Sequence, residues 1–99
     1  MYMRVMDSPD GKIVAACDRQ LIGRRLCEGK VVLDLEKHAH FYSGEECTRG
    51  ELEAAFRGAA SINLVGEKSV ACAIGAGIVQ RESVLFIEGV PHLQIYRIK

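Results

Sequence analysis

The chain has 99 residues, of which 48% are hydrophobic and 26% are charged, a balance typical of a globular protein and not of a disordered segment. Thirteen basic residues match thirteen acidic ones, so a strong, purely electrostatic nucleic-acid binder is excluded. No apolar run reaches the ~18 residues that a membrane span needs, and Arg4 and a turn interrupt the stretch where a signal peptide has its apolar segment. We therefore expect a single domain over residues 1–99, located in the cytoplasm and not in a membrane.

The first half of the chain predicts four elements. In chain order they are a strand over 1–6, a strand over 13–17, a helix over 18–29 and a strand over 31–35. Pro9 and Gly11 suit a tight turn, which makes the first two strands a hairpin. Asp18 is the expected cap of the helix. Three consecutive apolar residues from Val31 predict that the last of these strands is largely buried.

The second half predicts two helices and a second hairpin. Thr48 and Glu51 form a capping box that begins a helix through Ala60, and a further helix after Gly66 ends in a Schellman motif at Gly77. The closing hairpin has strands over 84–87 and 90–98. The order ββαβααββ predicts an α+β fold, in which a mixed or antiparallel sheet of about five strands is covered by two to three helices.

Histidines and cysteines offer little support for a metal centre. His38 and His40 are two residues apart and Cys47 follows, but this spacing fits no familiar closed zinc site. The four cysteines contain no CxxC pair and each is expected to be a small buried hydrophobe. We therefore expect neither a metal nor a cofactor.

The first of two glycine-bearing turns runs from Asn63 to Glu67, where a strand-like run enters a helix. Free amides near Gly66 could hold a phosphate or carboxylate at the positive end of the helix dipole. One glycine is not a phosphate loop, however, and Glu67 would repel an anion. In the alternative interpretation Asn63 or Ser61 fixes the turn and Glu67 complements the dipole.

The second turn precedes His92 and Gln94. An imidazole just after a tight turn could act as a base or as a ligand near neutral pH. No residue within local reach orients it, so a half-exposed histidine bonded to a backbone carbonyl is the competing interpretation. We carry Asn63, Gly66, Glu67, His92 and Gln94 forward as candidate binding residues.

A further group of basic residues lies close together in the sequence, ahead of the aromatic residues Phe41 and Tyr42. It consists of Arg24, Arg25, Lys30 and Lys37. Cations beside exposed aromatics are typical of surfaces that bind single-stranded nucleic acid. Acidic residues such as Asp34 and Glu36 are interspersed, which favours a solvated face instead.

No GxSxG, HExxH, Walker or GxGxxG pattern occurs. Three segments, MYMRV…PDGKIVAACD, NLVGE followed by GAGIV, and IEGVPHLQIYRI, instead resemble a family of small archaeal proteins catalogued as domain of unknown function 424. The resemblance covers nearly the whole chain and is strongest over 63–67, 77–78 and 89–94, whereas the HAH stretch and the cysteines do not look like family features. It implies an archaeal, cytoplasmic setting but no established activity.

The leading functional hypothesis is a non-enzymatic binding module for RNA or for a protein partner, which uses a surface near the two turns. The first alternative is a small-molecule-binding protein or enzyme in which Asn63, Glu67 and His92 converge around a pocket. The second is an oligomeric structural protein, since a chain of this size buries only roughly 60–65% of its unfolded surface.

Overall fold

The computed structural model describes residues 1–37, 39–42 and 44–96, and the side chains of His40 and Phe41 are outside that description. The described residues form eight strands: β1 (Tyr2–Ser8), β2 (Gly11–Cys17), β3 (Arg25–Glu28), β4 (Val31–Asp34), β5 (Glu45–Glu46), β6 (Ala59–Val65), β7 (Leu85–Ile87) and β8 (Val90–Tyr96). They also form three α-helices: α1 (Ala39–Tyr42), α2 (Arg49–Phe56) and α3 (Glu67–Gly75). Short 3₁₀ turns cover Arg19–Leu21 and Arg81–Ser83.

Six of these strands form one mixed sheet with the order β5-β1-β2-β6-β8-β7. The β2–β6 pair is parallel and the other pairs are antiparallel. The strands β3 and β4 form a separate two-stranded hairpin. The predicted α+β class with a mixed sheet is therefore confirmed.

The large sheet has two differently covered faces, because side chains alternate along each strand. One face, the helical face, packs against α2 and α3, and its buried residues include Val14, Ile62, Leu64 and Leu93. The other face, the hairpin face, carries Ala15, Cys17 and Val65, which pack against Leu21, Leu35 and Tyr42 from the segment after β2. Each fully buried leucine contributes about 1.5–3 kcal/mol to the stability of the fold. Both layers contain buried leucines, so packing on both faces stabilises the sheet.

Two predicted helix ends are confirmed in detail. The Thr48 hydroxyl accepts the Glu51 amide at 3.1 Å, while the Glu51 carboxylate accepts the Thr48 amide at 2.9 Å, which completes the capping box. The second is the C-terminal end of α3. There the Ile78 amide donates to the Ala73 carbonyl and the Gly77 amide donates to the Ile74 carbonyl, as a Schellman motif requires.

The helix predicted over 18–29 is wrong. A 3₁₀ turn over Arg19–Leu21 is followed by Gly23 with φ of 88°, and the chain then enters β3. In this strand Leu26 pairs with Leu33 of β4 and is buried, which a strand achieves as well as a helix. Tertiary pairing thus overrides a weak helical pattern already interrupted by glycine.

One other helix boundary and one prediction of burial were also wrong. The helix α2 ends at Phe56 and not at Ala60, because Gly58 turns the chain with φ of 74° and Ala59 begins the central strand β6. Val31 and Val32 are about half exposed and not largely buried, since β4 lies in the outer hairpin and not in the large sheet. No helix in the described part of the chain is long and apolar enough to cross a membrane.

Candidate functional site

The two glycine-bearing turns are neighbours in space. In the register of β6 and β8, Val65 lies opposite His92, and the Gly66 amide donates to the Pro91 carbonyl at 2.9 Å. This contact also explains why a proline is tolerated as the second residue of β8. Pro91 has no amide hydrogen to donate, and here it only accepts a hydrogen bond. The candidate residues of both turns therefore belong to one region of the sheet.

The amides at the start of α3 are occupied by a carboxylate of the chain itself. Asp18 follows β2 and is 1% exposed. Its Oδ2 accepts the Lys68 amide at 2.9 Å, and its Oδ1 accepts the amide and the hydroxyl of Ser69 at 2.9 and 2.8 Å. The positive end of the helix dipole and three hydrogen bonds stabilise this buried charge. An external anion would have to displace Asp18.

Gly66 is needed because Asp18 lies against it. Its φ of 109° is in a region that residues with a side chain rarely adopt, and a Cβ at this position would lie 2.6 Å from the Asp18 Oδ2. Glu67 begins α3 with an exposed side chain, where its charge complements the dipole. The sequence assigned Asp18 to the wrong helix, since a local pattern does not show that its carboxylate binds amides 50 and 51 residues further along the chain.

His92 is buried to 8% exposure on the hairpin face. Its Nδ1 lies 3.0 Å from the Leu64 carbonyl oxygen, which can only accept, so Nδ1 carries the proton and donates it. Burial lowers the pKa of the imidazole, although the bond to Leu64 opposes this effect. The side chain is therefore neutral at pH 7, and its Nε2 has a lone pair.

Asn63 and Gln94 are directly opposite each other on the same face, two residues from Val65 and His92 respectively. The Tyr42 hydroxyl, at the end of α1, donates to the Asn63 Oδ1 at 2.7 Å. Burial is the main cause of the raised pKa of Tyr42, so its hydroxyl stays protonated and donates. Sequence reasoning did not identify Tyr42 as the partner of Asn63, because the two residues meet only when α1 folds over the sheet.

The structure thus brings Asn63, His92 and Gln94 to one face but does not bring Glu67 to it. Glu67 belongs to α3, which packs on the helical face. Within the described residues no hydrogen bond joins Asn63, Glu67 and His92. The constellation on which an enzymatic interpretation depended is not assembled.

The four basic candidates are distributed around the β3–β4 hairpin. Lys30 lies in the turn at one end, whereas Arg24, Arg25 and Lys37 lie near the other end, about 10 Å away along the strands. Arg25 is 3.8 Å from Asp34, and the Lys37 amide donates to the same carboxylate. These residues do not form one continuous basic stripe.

The outer edge of β7 lies beside the second turn and was missed in the sequence. Leu85 and Phe86 are 64% and 58% exposed, and β7 is the last strand of the large sheet. Glu88 and Gly89 close the hairpin with φ values of 52° and 78°, as in a type I′ turn. No signal in the sequence marks this edge, because a short apolar strand does not show whether a further strand covers it.

Two carboxylates tie this turn to β3. The Glu88 Oε2 accepts the Cys27 amide at 2.6 Å, and the Glu28 Oε1 accepts the Glu88 amide at 3.1 Å. Within the described residues neither carboxylate has a basic side chain within ion-pair distance. Among the described residues, no basic side chain therefore balances the negative charge at this end of β7.

The cysteines divide into two kinds. Cys17 and Cys72 are buried, as predicted, and burial raises the pKa of Cys17 to about 12. Cys47 is intermediate and Cys27 is exposed, so the expectation that every cysteine is buried was wrong. His38 and the His40 side chain lie outside the described residues, and the described part of the chain contains no group of three metal-ligating side chains.

A groove of about 340 Å³ occurs at the opposite edge of the sheet. Met3, Arg4 and Cys47 line it together with the carboxylates of Glu45 and Glu51. It adjoins β1 and β5, whereas the two turns lie at β6 and β8. None of the predicted binding residues contributes to it.

No curated protein matches the chain. A crystal structure described as that of an uncharacterized conserved protein from Methanopyrus kandleri, an archaeon, is similar with a TM-score of 0.83 and 24% identity over 98% of this chain and 90% of that one. This identity shows a shared fold alone. Residues 6–98 match the family model described as protein of unknown function (DUF424), and the chain therefore belongs to that family.

Proposed function

We propose that the protein is a non-enzymatic binding module for a protein partner, and that an extended segment of this partner lies along β7. The observation that carries the proposal is the exposure of Leu85 and Phe86, at 64% and 58%, on a strand at the edge of the large sheet. Exposed apolar side chains on an edge strand favour association with another strand.

The backbone of β7 supports pairing with a further strand. Ile87 and Val90 flank a two-residue turn, so they exchange hydrogen bonds with each other, as do Leu85 and His92. Phe86 is the residue between them, and its amide and carbonyl therefore point away from β8. Within the described residues they make no backbone hydrogen bond, so an incoming strand can pair with them.

The side chains indicate how the partner lies. Leu85 and Phe86 are consecutive and project to opposite faces of the sheet. A ligand resting on one face would cover only one of them. A strand that extends the sheet beside β7 would contact both, which is why we favour an extended segment.

The charges define the chemistry of this segment. Glu28 and Glu88 lie at one end of β7 without a basic partner among the described residues. A lysine or arginine of the partner would neutralise them there. The expected segment alternates apolar residues with at least one basic residue, whereas a second copy of this chain would bring its own two carboxylates.

The same charges disfavour RNA as the partner at the β7 edge. Glu28, Glu67 and Glu88 are all exposed around the two turns, and the basic candidates lie at separate ends of the β3–β4 hairpin. Phosphates would be repelled from the end of β7, where Glu28 and Glu88 lie together. We further propose a cytoplasmic setting, which the four free cysteines support because disulfides are uncommon in reducing compartments.

The test is selection of binding peptides from a random linear library by the purified protein. We expect enriched peptides to alternate apolar residues and to carry lysine or arginine, and to lose affinity for a Phe86→Asp variant. Val5→Asp, at a residue 44% exposed on β1, is the matched control and should bind as the wild type does. A Glu88→Gln variant keeps a side-chain acceptor and should lose only the preference for basic residues.

Other outcomes decide against the proposal. Peptides that bind the Phe86→Asp variant unchanged would place the contact elsewhere. A dimer in light scattering that Phe86→Asp disrupts would replace the partner segment by a second copy. A gel shift of single-stranded RNA at low salt, reduced by substitution of Lys30 and Lys37, would favour RNA instead.

A further inference from the structure

The hairpin face of β6 and β8 contains a second candidate site, separate from the β7 edge. Asn63 lies opposite Gln94, and Ser61 lies opposite Tyr96, so these four side chains form two adjacent rows on one face. Hydrogen-bonded and non-hydrogen-bonded residue pairs alternate along an antiparallel ladder. Because Gly66 and Pro91 are a hydrogen-bonded pair, Asn63–Gln94 and Ser61–Tyr96 are both non-hydrogen-bonded pairs. Side chains in such pairs approach each other closely.

Several of these groups have unused hydrogen-bonding capacity. The Tyr42 hydroxyl donates to the Asn63 Oδ1 and so fixes the orientation of this amide, which leaves both N–H groups of Nδ2 pointing away from Tyr42. The Gln94 amide and the Ser61 hydroxyl have no hydrogen-bond partner among the described residues. The two fixed N–H donors of Asn63 therefore lie beside Gln94 and Ser61, whose side chains can both donate and accept hydrogen bonds.

The site is uncharged. Its four side chains are amides, a hydroxyl and a phenol, and His92 at its end is neutral because burial lowers the pKa of the imidazole. None of these groups offers a charge that could pair with an ionic ligand. The complementary ligand is a neutral molecule with both acceptor and donor groups.

An aromatic ring adjoins these amides. Tyr96 is 72% exposed, and its phenol is close enough to Tyr42 to contribute to the raised pKa of the latter. Carboxamides that reach the edge of a planar base, beside an exposed aromatic ring that stacks on it, are how proteins recognise single nucleobases. An exposed tyrosine without neighbouring carboxamides could stack on a base but could not hydrogen-bond its edge.

We propose that Asn63 and Gln94 hydrogen-bond the edge of one nucleobase, and that Tyr96 stacks on its ring. The base can belong to a free nucleoside or to a single-stranded RNA, since both present the same edge and the same ring. The site is independent of the β7 edge, because it uses the face of β6 and β8.

The test follows the side-chain amide signals of Asn63 and Gln94 by nitrogen-15 NMR during titration with adenosine, guanosine, cytidine and uridine. We expect at least one nucleoside to shift both signals, and Gln94→Ala to weaken its binding about tenfold, the size of one lost amide contact to a base. Tyr96→Ala should weaken it as well. Gln80→Ala is the matched control at another exposed glutamine and should leave binding unchanged.

The arms of the titration separate the sources of the base. If a single-stranded RNA tetramer shifts the same signals and binds more tightly than the nucleoside, with an affinity that depends strongly on salt, RNA is the source of the base. Equal or weaker binding identifies a free nucleoside. Shifts caused by ribose alone, shifts confined to other residues, or no shift with any nucleoside would each overturn the proposal, and none of these results bears on peptide binding at β7.

Discussion

Replacement of Gly66 by alanine should destabilise the protein strongly, because two separate costs meet at this residue. Its backbone has φ of 109° and ψ of 159°, a region essentially restricted to glycine, and a side chain there costs about 1–3 kcal/mol. The new methyl group would also lie 2.6 Å from the Asp18 Oδ2, so the carboxylate must move.

The movement of Asp18 supplies the second cost. This carboxylate accepts three hydrogen bonds from Lys68 and Ser69, and each bond to a charged group is worth about 1.5–3 kcal/mol. Loss of one of them brings the total to about 2.5–6 kcal/mol. A domain of this size has a total stability of about 5–15 kcal/mol, so we expect the melting temperature to fall by at least about 10 °C.

Urea denaturation followed by circular dichroism measures the effect. Gly77→Ala is the matched control, since Gly77 has a φ of 75° and no atom within 4 Å of its added Cβ, and it should cost only about 1–2 kcal/mol. Gly66→Ala should also cost less in an Asp18→Gly background than in the wild type. Equal costs for the two alanine variants, or additive costs in the double variant, would refute the role assigned to Asp18.

Three further predictions concern the hairpin face and the thiols. Burial lowers the pKa of His92 from about 6.5, so its contribution to stability is complete above that pH and is lost as the pH falls further. Thermal melts at about pH 7.5 and 5.5 should show this loss of stability, and the loss should be smaller in a His92→Gln variant. Tyr42→Phe removes the bond to Asn63 and should lower the free energy of unfolding by about 0.5–1.5 kcal/mol in urea titrations, whereas an unchanged value would deny that bond a stabilising role. Ellman's reagent should modify Cys27 first and Cys17 last, because Cys27 is exposed and burial raises the pKa of Cys17 to about 12; equal rates by peptide mapping would contradict the burial of Cys17.

The features that the sequence predicted correctly are those encoded within a few residues. The capping box at Thr48, the Schellman motif at Gly77 and the Glu88-Gly89 hairpin each depend on neighbours along the chain. The helix predicted from Asp18 failed because a strand pairing with β4 buries Leu26 equally well. Local patterns therefore identified the ends of elements better than the elements whose stability depends on distant partners.

The candidate site shows the same division. Asn63, His92 and Gln94 were selected from the sequence, and the register of β6 and β8 places them together. The contacts that determine what these residues can do come from Tyr42 and Leu64, and neither contact is visible in a local pattern. The apolar edge of β7 was missed because a run such as Val84 to Ile87 does not indicate whether a further strand covers it.

The position of Asp18 explains why binding is expected away from the usual crevice of a sheet with parallel strands. Ligands in such sheets commonly bind at the carboxyl ends of adjacent parallel strands whose chains leave toward opposite faces. The strands β2 and β6 form such a pair, since the chain after β2 covers the hairpin face and α3 after β6 covers the helical face. The chain's own carboxylate fills this crevice and accepts the amides of α3. The polar groups on β6 and β8 and the exposed edge of β7 lie outside this filled crevice, and they are the surfaces that we propose for a ligand and for a partner.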